Sequence, residues 1–210
     1  MSPLRAVVFD QDGTLIDTFL PALTAYSSAV GRTITLAELE PVAHLGAARN
    51  LVSALLGREA TEAEDDRFHE ALAEAVRGID PYPGVVELLV ALRDAGVRTG
   101  VATNSDGRSA AVVLGAHGLV EHFDTVVTVD LVTAPKPDPA SIMLAVSRLG
   151  VAPGEVAYVG DAPSDMVAAR VAGVMGVAAG WGHQAGAIDP ASTDHWLDQP
   201  ADLLDLIAGG

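Results

Sequence analysis

The stretch Val7-Val8-Phe9-Asp10-Gln11-Asp12-Gly13-Thr14 ends an apolar run in two aspartates separated by one residue. Carboxylates attack electrophiles, carry protons and hold hard cations, so a pair at the end of a buried strand is a candidate reactive site. Side chains at i and i+2 of a strand share a face, which lets Asp10 and Asp12 reach one pocket beyond the strand end. Gly13 frees the backbone to turn there. A simple turn, for which Asp and Gly are equally suited, is the competing reading.

A second pair lies in Gly160-Asp161-Ala162-Pro163-Ser164-Asp165. Asp161 ends another apolar run, and Asp165 falls near the first turn of a following helix, where capping is the competing role. With these two strands as neighbours, three or four carboxylates meet in one crevice, and like charges that close ionise only with a cation among them. The chain has no cysteine. Oxygen-only donors select a hard cation, and Mg2+ characteristically takes one or two carboxylates plus waters and phosphate oxygens, which calls for a phosphorylated substrate. Two further segments supply charge and donors. Lys136, the single lysine, stands between Pro135 and Pro137, and Val101-Ala102-Thr103-Asn104 ends a strand in a hydroxyl and an amide suited to phosphate oxygens.

The elements that must position these residues follow a regular rhythm. Leu4–Phe9, Val97–Thr103, Thr125–Val129, Val156–Gly160 and Val174–Ala178 are short, Val-rich runs without clear alternation, as strands buried on both faces should be. Between them Gly84–Ala95, Asp106–His117, Asp138–Leu149 and Ser164–Ala172 carry helical apolar spacing, several ending near a glycine. Strand and helix in alternation predict an α/β fold with a doubly wound parallel sheet, and ligands of such sheets bind at the carboxyl ends of the strands. From Thr18 to about Asp80 only helical patterns occur, including the amphipathic Thr61–Arg77, and Pro81-Tyr82-Pro83-Gly84 closes the segment like a hinge. The expected organisation is an α/β core of residues 1–17 and 81–210 with a small all-α domain, residues 18–80, inserted after the first strand.

Charge and composition narrow the partners. Twelve Lys and Arg against twenty-eight Asp and Glu give a net charge of −16, which opposes binding to nucleic acid or to an anionic membrane surface. Without cysteine, disulfides and thiolate metal sites are excluded. No apolar run approaches the length that spans a bilayer and no leader-like start is visible, so a cytoplasmic monomer or homodimer is expected.

Asp10-Gln11-Asp12-Gly13-Thr14, then Thr103, then Lys136, then Gly160-Asp161 with Asp165 resemble the four motifs of the haloacid dehalogenase-type hydrolase superfamily, in the family order and each after a predicted strand. The helical insert resembles the cap these proteins carry. The resemblance implies that Asp10 is the nucleophile that becomes an aspartyl-phosphate and that Asp12 is the general acid and base. It implies Mg2+ held by the Asp10 carboxylate, the Asp12 main-chain carbonyl and Asp161, with Asp165 a ligand or an outer partner. Thr103 and Lys136 would hold the phosphoryl group, with Lys136 also shielding Asp10, and Asn104 beside Thr103 is the further phosphate-binding candidate from the strand end. Dehalogenases and phosphonate-cleaving members lack an aspartate at the position of Asp12, and its presence favours a phosphate ester. Mutases resembling beta-phosphoglucomutase usually carry a histidine after the first motif, where this chain reads Thr18-Phe19-Leu20-Pro21-Ala22. The resemblance therefore points to a phosphatase of the phosphoglycolate phosphatase-like group acting on a small phosphorylated metabolite, with a mutase or a non-catalytic binding protein as the other readings.

The insert is less informative. His44-Leu45-Gly46-Ala47-Ala48-Arg49-Asn50 is where a cap loop of this type approaches the core, and Arg49 is a candidate clamp for a second anionic group; a solvated helix residue is the alternative. Trp181 and His183 follow the fifth predicted strand and could line the entrance. The remaining histidines show no ligand spacing, and Glu62–Asp66 reads as a solvated helix face.

Overall fold

The computed structural model describes residues 3–208. Its centre is a six-stranded, all-parallel sheet with strand order β3-β2-β1-β4-β5-β6. The strands are β1 (Ala6–Phe9), β2 (Arg98–Ala102), β3 (Thr125–Val127), β4 (Val156–Gly160), β5 (Met175–Ala179) and β6 (His195–Leu197). The first five coincide with the sequence runs to within two residues at each end. The sixth has no counterpart in the sequence reading. It is a three-residue edge strand flanked by aspartates at 194 and 198, too short for a period to show.

The alternation missing from the hydropathy pattern is present in three dimensions. Val7 and Phe9 face one core, while Ala6 and Val8 face another. Both faces are covered by helices, so both sets are apolar. Helices α5 (Val85–Asp94), α6 (Gly107–Ala116) and α9 (Leu203–Ala208) lie on the first face, and α7 (Ala140–Leu149) and α8 (Pro163–Ala172) on the second.

From β1 the chain winds outward through β2 to β3, then returns to β4 on the other side of β1 and winds out to β6. The reversal lies between β1 and β4, and the crevice at such a switch point is where open α/β sheets bind ligands. Asp10 and Asp161 are the residues that leave these two strands.

Residues 18–80 are helical, as expected: α1 (Phe19–Val30), α2 (Leu36–Leu39), a 3-10 turn at Glu40–Leu45, α3 (Ala48–Leu56) and α4 (Glu62–Val76). Thr61 and Glu64 cap α4 reciprocally, and Arg58 pairs with the same Glu64 carboxylate at 2.6 Å. Glu64 is therefore buried, a departure from the solvated face expected for Glu62–Asp66. Tyr26 packs on Phe68 with ring centroids 4.6 Å apart, joining α1 to α4. The linkers entering and leaving this segment run together: Tyr82 N–H donates to Leu15 O at 3.0 Å, and Ile16 bridges to Pro81. No helix among the described residues is long and apolar enough to cross a membrane.

Candidate active site

The loop after β1 is shaped by its own backbone. Gln11 O accepts from Leu15 N–H at 2.9 Å, Gly13 N–H donates to Ile16 O at 2.9 Å, and Gly13 sits at φ 87°. A side chain at Gly13 would overlap the Asp161 carboxylate. The glycine is thus required twice, for its positive φ and for the approach of the first loop to the fourth strand.

Asp10, Asp161 and Asp165 are buried together, and one carboxylate oxygen from each lies within 4.8 Å of the others. Lys136, also buried, donates from Nζ to Asp10 Oδ1 and to Asp165 Oδ1, both at 2.7 Å, and to Tyr158 Oη at 2.8 Å. The Tyr158 hydroxyl in turn donates to Ala102 O at 2.9 Å. Asp165 Oδ2 accepts from Ala162 N–H at 3.0 Å at the start of α8, so its capping and site roles coexist. Asp161 Oδ2 accepts from Gln184 N–H at 2.9 Å.

One ammonium faces three buried carboxylates. Burial pushes Asp10 well up, Lys136 opposes this, and Asp165, Asp161 and Asp12 add to it. Burial also raises Asp161, to about 6, with the Gln184 N–H opposing and Asp165 repelling. Lys136 is raised: its carboxylate neighbours outweigh its desolvation and keep it charged. The cluster is therefore short of positive charge, its donors are all oxygens, and a hard divalent cation fits it.

Asp12 lines the same cavity with its carboxylate turned the other way. It accepts from Thr18 Oγ1 and from Ser105 Oγ, each at 2.7 Å, and from Gln11 Nε2 at 3.1 Å. Thr103 lies 3.5 Å from it through Oγ1. The four carboxylates, Thr103, Asn104 and Lys136 all line one cavity of about 440 Å3 between the sheet and the helical segment.

Two expectations need revision. Asn104 lines the cavity, but its amide clasps the Lys136 backbone, accepting from its N–H at 2.7 Å and donating to its carbonyl at 3.2 Å. It sets the lysine loop in place. Arg49 does not line the cavity. Its guanidinium is half exposed, donates to Ala60 O at 3.0 Å and lies 3.8 Å from Glu59, because α3 turns it back onto the end of its own helix.

Several residues that shape the site carry little signal of their own in the chain. Tyr158 was signalled only as one phenol in an aliphatic strand. Ser105 and Thr18 look like ordinary helix-start residues. Gly182 and Gln184 brace Asp161 from beyond β5, and a side chain at Gly182 would overlap Asp161. Of the two residues expected at the entrance, His183 lines the cavity and stacks on Phe19 at 4.0 Å between centroids, whereas Trp181 packs against the core and donates to Thr14 O at 2.9 Å. His69, one of the scattered histidines, is buried between α4 and α6, with Nε2 3.3 Å from Asp106 Oδ1 and 3.2 Å from Ser109 Oγ.

Comparison with known proteins agrees with this geometry. A phosphoglycolate phosphatase of Xanthomonas campestris pv. campestris is 36% identical over 97% of this chain and 96% of its own length. The N-acetylmuramic acid 6-phosphate phosphatase of Pseudomonas aeruginosa is 34% identical over 97% of this chain and 95% of its own. The crystal structure of CbbY from Rhodobacter sphaeroides in complex with phosphate superposes with a TM-score of 0.84 at 21% identity, covering 98% of this chain and 99% of that one, a likeness of fold. The family profile for haloacid dehalogenase-like hydrolases matches residues 7–179, a span that runs from β1 through β5 and contains every carboxylate of the cluster together with Lys136. With the motifs, the sheet order and the relatives in agreement, the chain belongs to the haloacid dehalogenase-like hydrolase family.

Proposed function

We propose that the protein is a Mg2+-dependent phosphatase that hydrolyses a small phosphomonoester through an aspartyl-phosphate on Asp10. The observation that carries this reading is the meeting of Asp10, Asp161, Asp165 and Lys136 at one end of a cavity that Asp12 also lines. Phosphoryl transfer asks a protein mainly for positioning and for neutralisation of the equatorial oxygens, and these residues supply both. Asp10, Asp161 and the Asp12 main-chain carbonyl would hold Mg2+, with Asp165 beside them. When bound, the ion would supply the charge neutralisation that Lys136 alone cannot.

Asp10 attacks phosphorus as the bond to the ester oxygen breaks, and Asp12 gives that oxygen its proton. Asp12 then takes a proton from the water that attacks the aspartyl-phosphate, which restores Asp10 and releases inorganic phosphate. Lys136 holds Asp10 in line and shields its charge. Thr103 presents a hydroxyl to the transferring group. Thr18 and Ser105 fix the Asp12 carboxylate between its two tasks. The helical segment 18–80 acts as a cap on the core of residues 1–17 and 81–210, and closing it excludes bulk water.

Phosphate release across a panel of phosphorylated metabolites, with and without EDTA, tests the reading. Asp10→Asn is expected to lower release by about 10³-fold or more, and EDTA to abolish it. Asp12→Asn should cost about 10²–10⁴-fold while Mg2+ affinity persists. Equal release by wild type and Asp10→Asn on every substrate would remove the nucleophile. The mutase alternative predicts no net inorganic phosphate.

A further inference from the structure

Beyond the phosphoryl end the cavity changes character. Its far wall is built from Tyr26 of α1, Leu51 of α3, Phe68 and Leu72 of α4, and Val113 of α6. Among the described residues that line it, Lys136 is the only lysine or arginine, and Lys136 is already bound to Asp10 and Asp165. Of the two histidines in the lining, His183 is stacked on Phe19 and His44 sits in the 3-10 turn before α3. Arg49, on α3, does not line the cavity and donates to Ala60 O.

The acidic side chain on this side of the cavity is Asp106, which pairs with His69 at 3.3 Å. Asp106 lines the cavity, and hydrogen bonds from His69, Ser109 N–H and Ala48 N–H outweigh burial to hold its carboxyl well below the usual range. Tyr26 supplies a polar contact. It is 7% exposed and lines the cavity, where its phenol can offer a hydrogen bond to a ligand.

We propose that the alcohol released from the phosphomonoester is uncharged and partly apolar, seated against the wall formed by Leu51, Phe68, Leu72 and Val113, with Tyr26 donating a hydrogen bond to one of its oxygens. This rests on the phosphatase reading of the same site and specifies its substrate class. A second anion, such as a carboxylate, would be desolvated without a cationic partner in the lining, which is costly. The volume of about 440 Å3 accommodates a ring-sized group beside the phosphate. The inference departs from the two relatives described above, whose names specify substrates that carry a carboxylate.

The test compares benzyl phosphate with 4-carboxybenzyl phosphate, two esters of similar leaving-group acidity. With wild type and Mg2+, kcat/KM is expected to be at least about 10-fold higher for the neutral ester. Equal or faster turnover of the carboxylated ester overturns the proposal. Binding of both esters to Asp10→Asn separates the two levels. If wild type releases no phosphate from either ester but the neutral one binds more tightly, the phosphatase reading falls while the uncharged, partly apolar subsite stands. If the carboxylated ester binds as tightly, or neither binds at millimolar concentration, the inference falls. Tyr26→Phe, which keeps the stacking on Phe68, is expected to raise KM for glycerol 1-phosphate about 5-fold while propyl phosphate stays within about two-fold. Equal KM changes for both esters would assign Tyr26 to packing and overturn its hydrogen bond.

Discussion

At the scale of single residues, the site turns on how one ammonium is held. Lys136 has three partners within 2.8 Å, and its backbone is clasped on both sides by Asn104. Tyr158 completes this arrangement: it accepts from the ammonium and donates its own hydrogen bond to Ala102 O. Tyr158→Phe removes one partner from a buried charge and one donor from a buried carbonyl. The expected result is a loss of about 1–3 kcal/mol in urea denaturation and a kcat lower by about 10-fold, with KM changed less because the phosphate-binding groups remain. Unchanged kcat would mean that the two carboxylates alone fix the lysine. The motifs in the chain pointed to Lys136 beside Asp10, but the Tyr158 contact was not legible, because only the fold makes residues 136 and 158 neighbours.

At the scale of elements, α4 and α6 are fastened by a short polar chain. His69 Nδ1–H donates to Asp65 O at 2.8 Å. Its Nε2 faces Asp106 and Ser109, and Arg108 of α6 reaches Asp66 of α4 at 2.7 Å. Burial lowers the His69 pKa, but the Asp106 carboxylate and the Asp65 carbonyl outweigh it and the ring ends up raised. A raised histidine contributes stability that is complete below its unfolded value, near 6.5, and is lost as pH climbs through the folded one. Wild type should therefore be less stable to urea at pH 9 than at pH 6, and His69→Gln should lose that difference; an identical slope in both proteins would show that the ring carries no charge in the fold. The sequence predicted the helices joined here because their apolar spacing is local. The fastening is not local. Nothing near His69 distinguishes a junction histidine from a surface one, just as nothing near Arg49 shows that its helix end will claim it. β6 was missed for a related reason: its three residues are a strand because β5 lies alongside them.

At the scale of the whole molecule, the net charge of −16 opposes the arrival of an anionic ester. Raising ionic strength from low to moderate at saturating Mg2+ should increase kcat/KM by about 2- to 5-fold as that repulsion is screened. A fall would mean that local attraction at the cavity mouth outweighs the global field. The same acidity is carried by a chain whose positive side chains are arginines with a single exception. Lys136 is that exception, and it is walled in beneath two carboxylates. Acylating reagents attack neutral amines, and this one lysine is buried and held charged, so they should leave the folded protein active and reach Lys136 only once the chain unfolds.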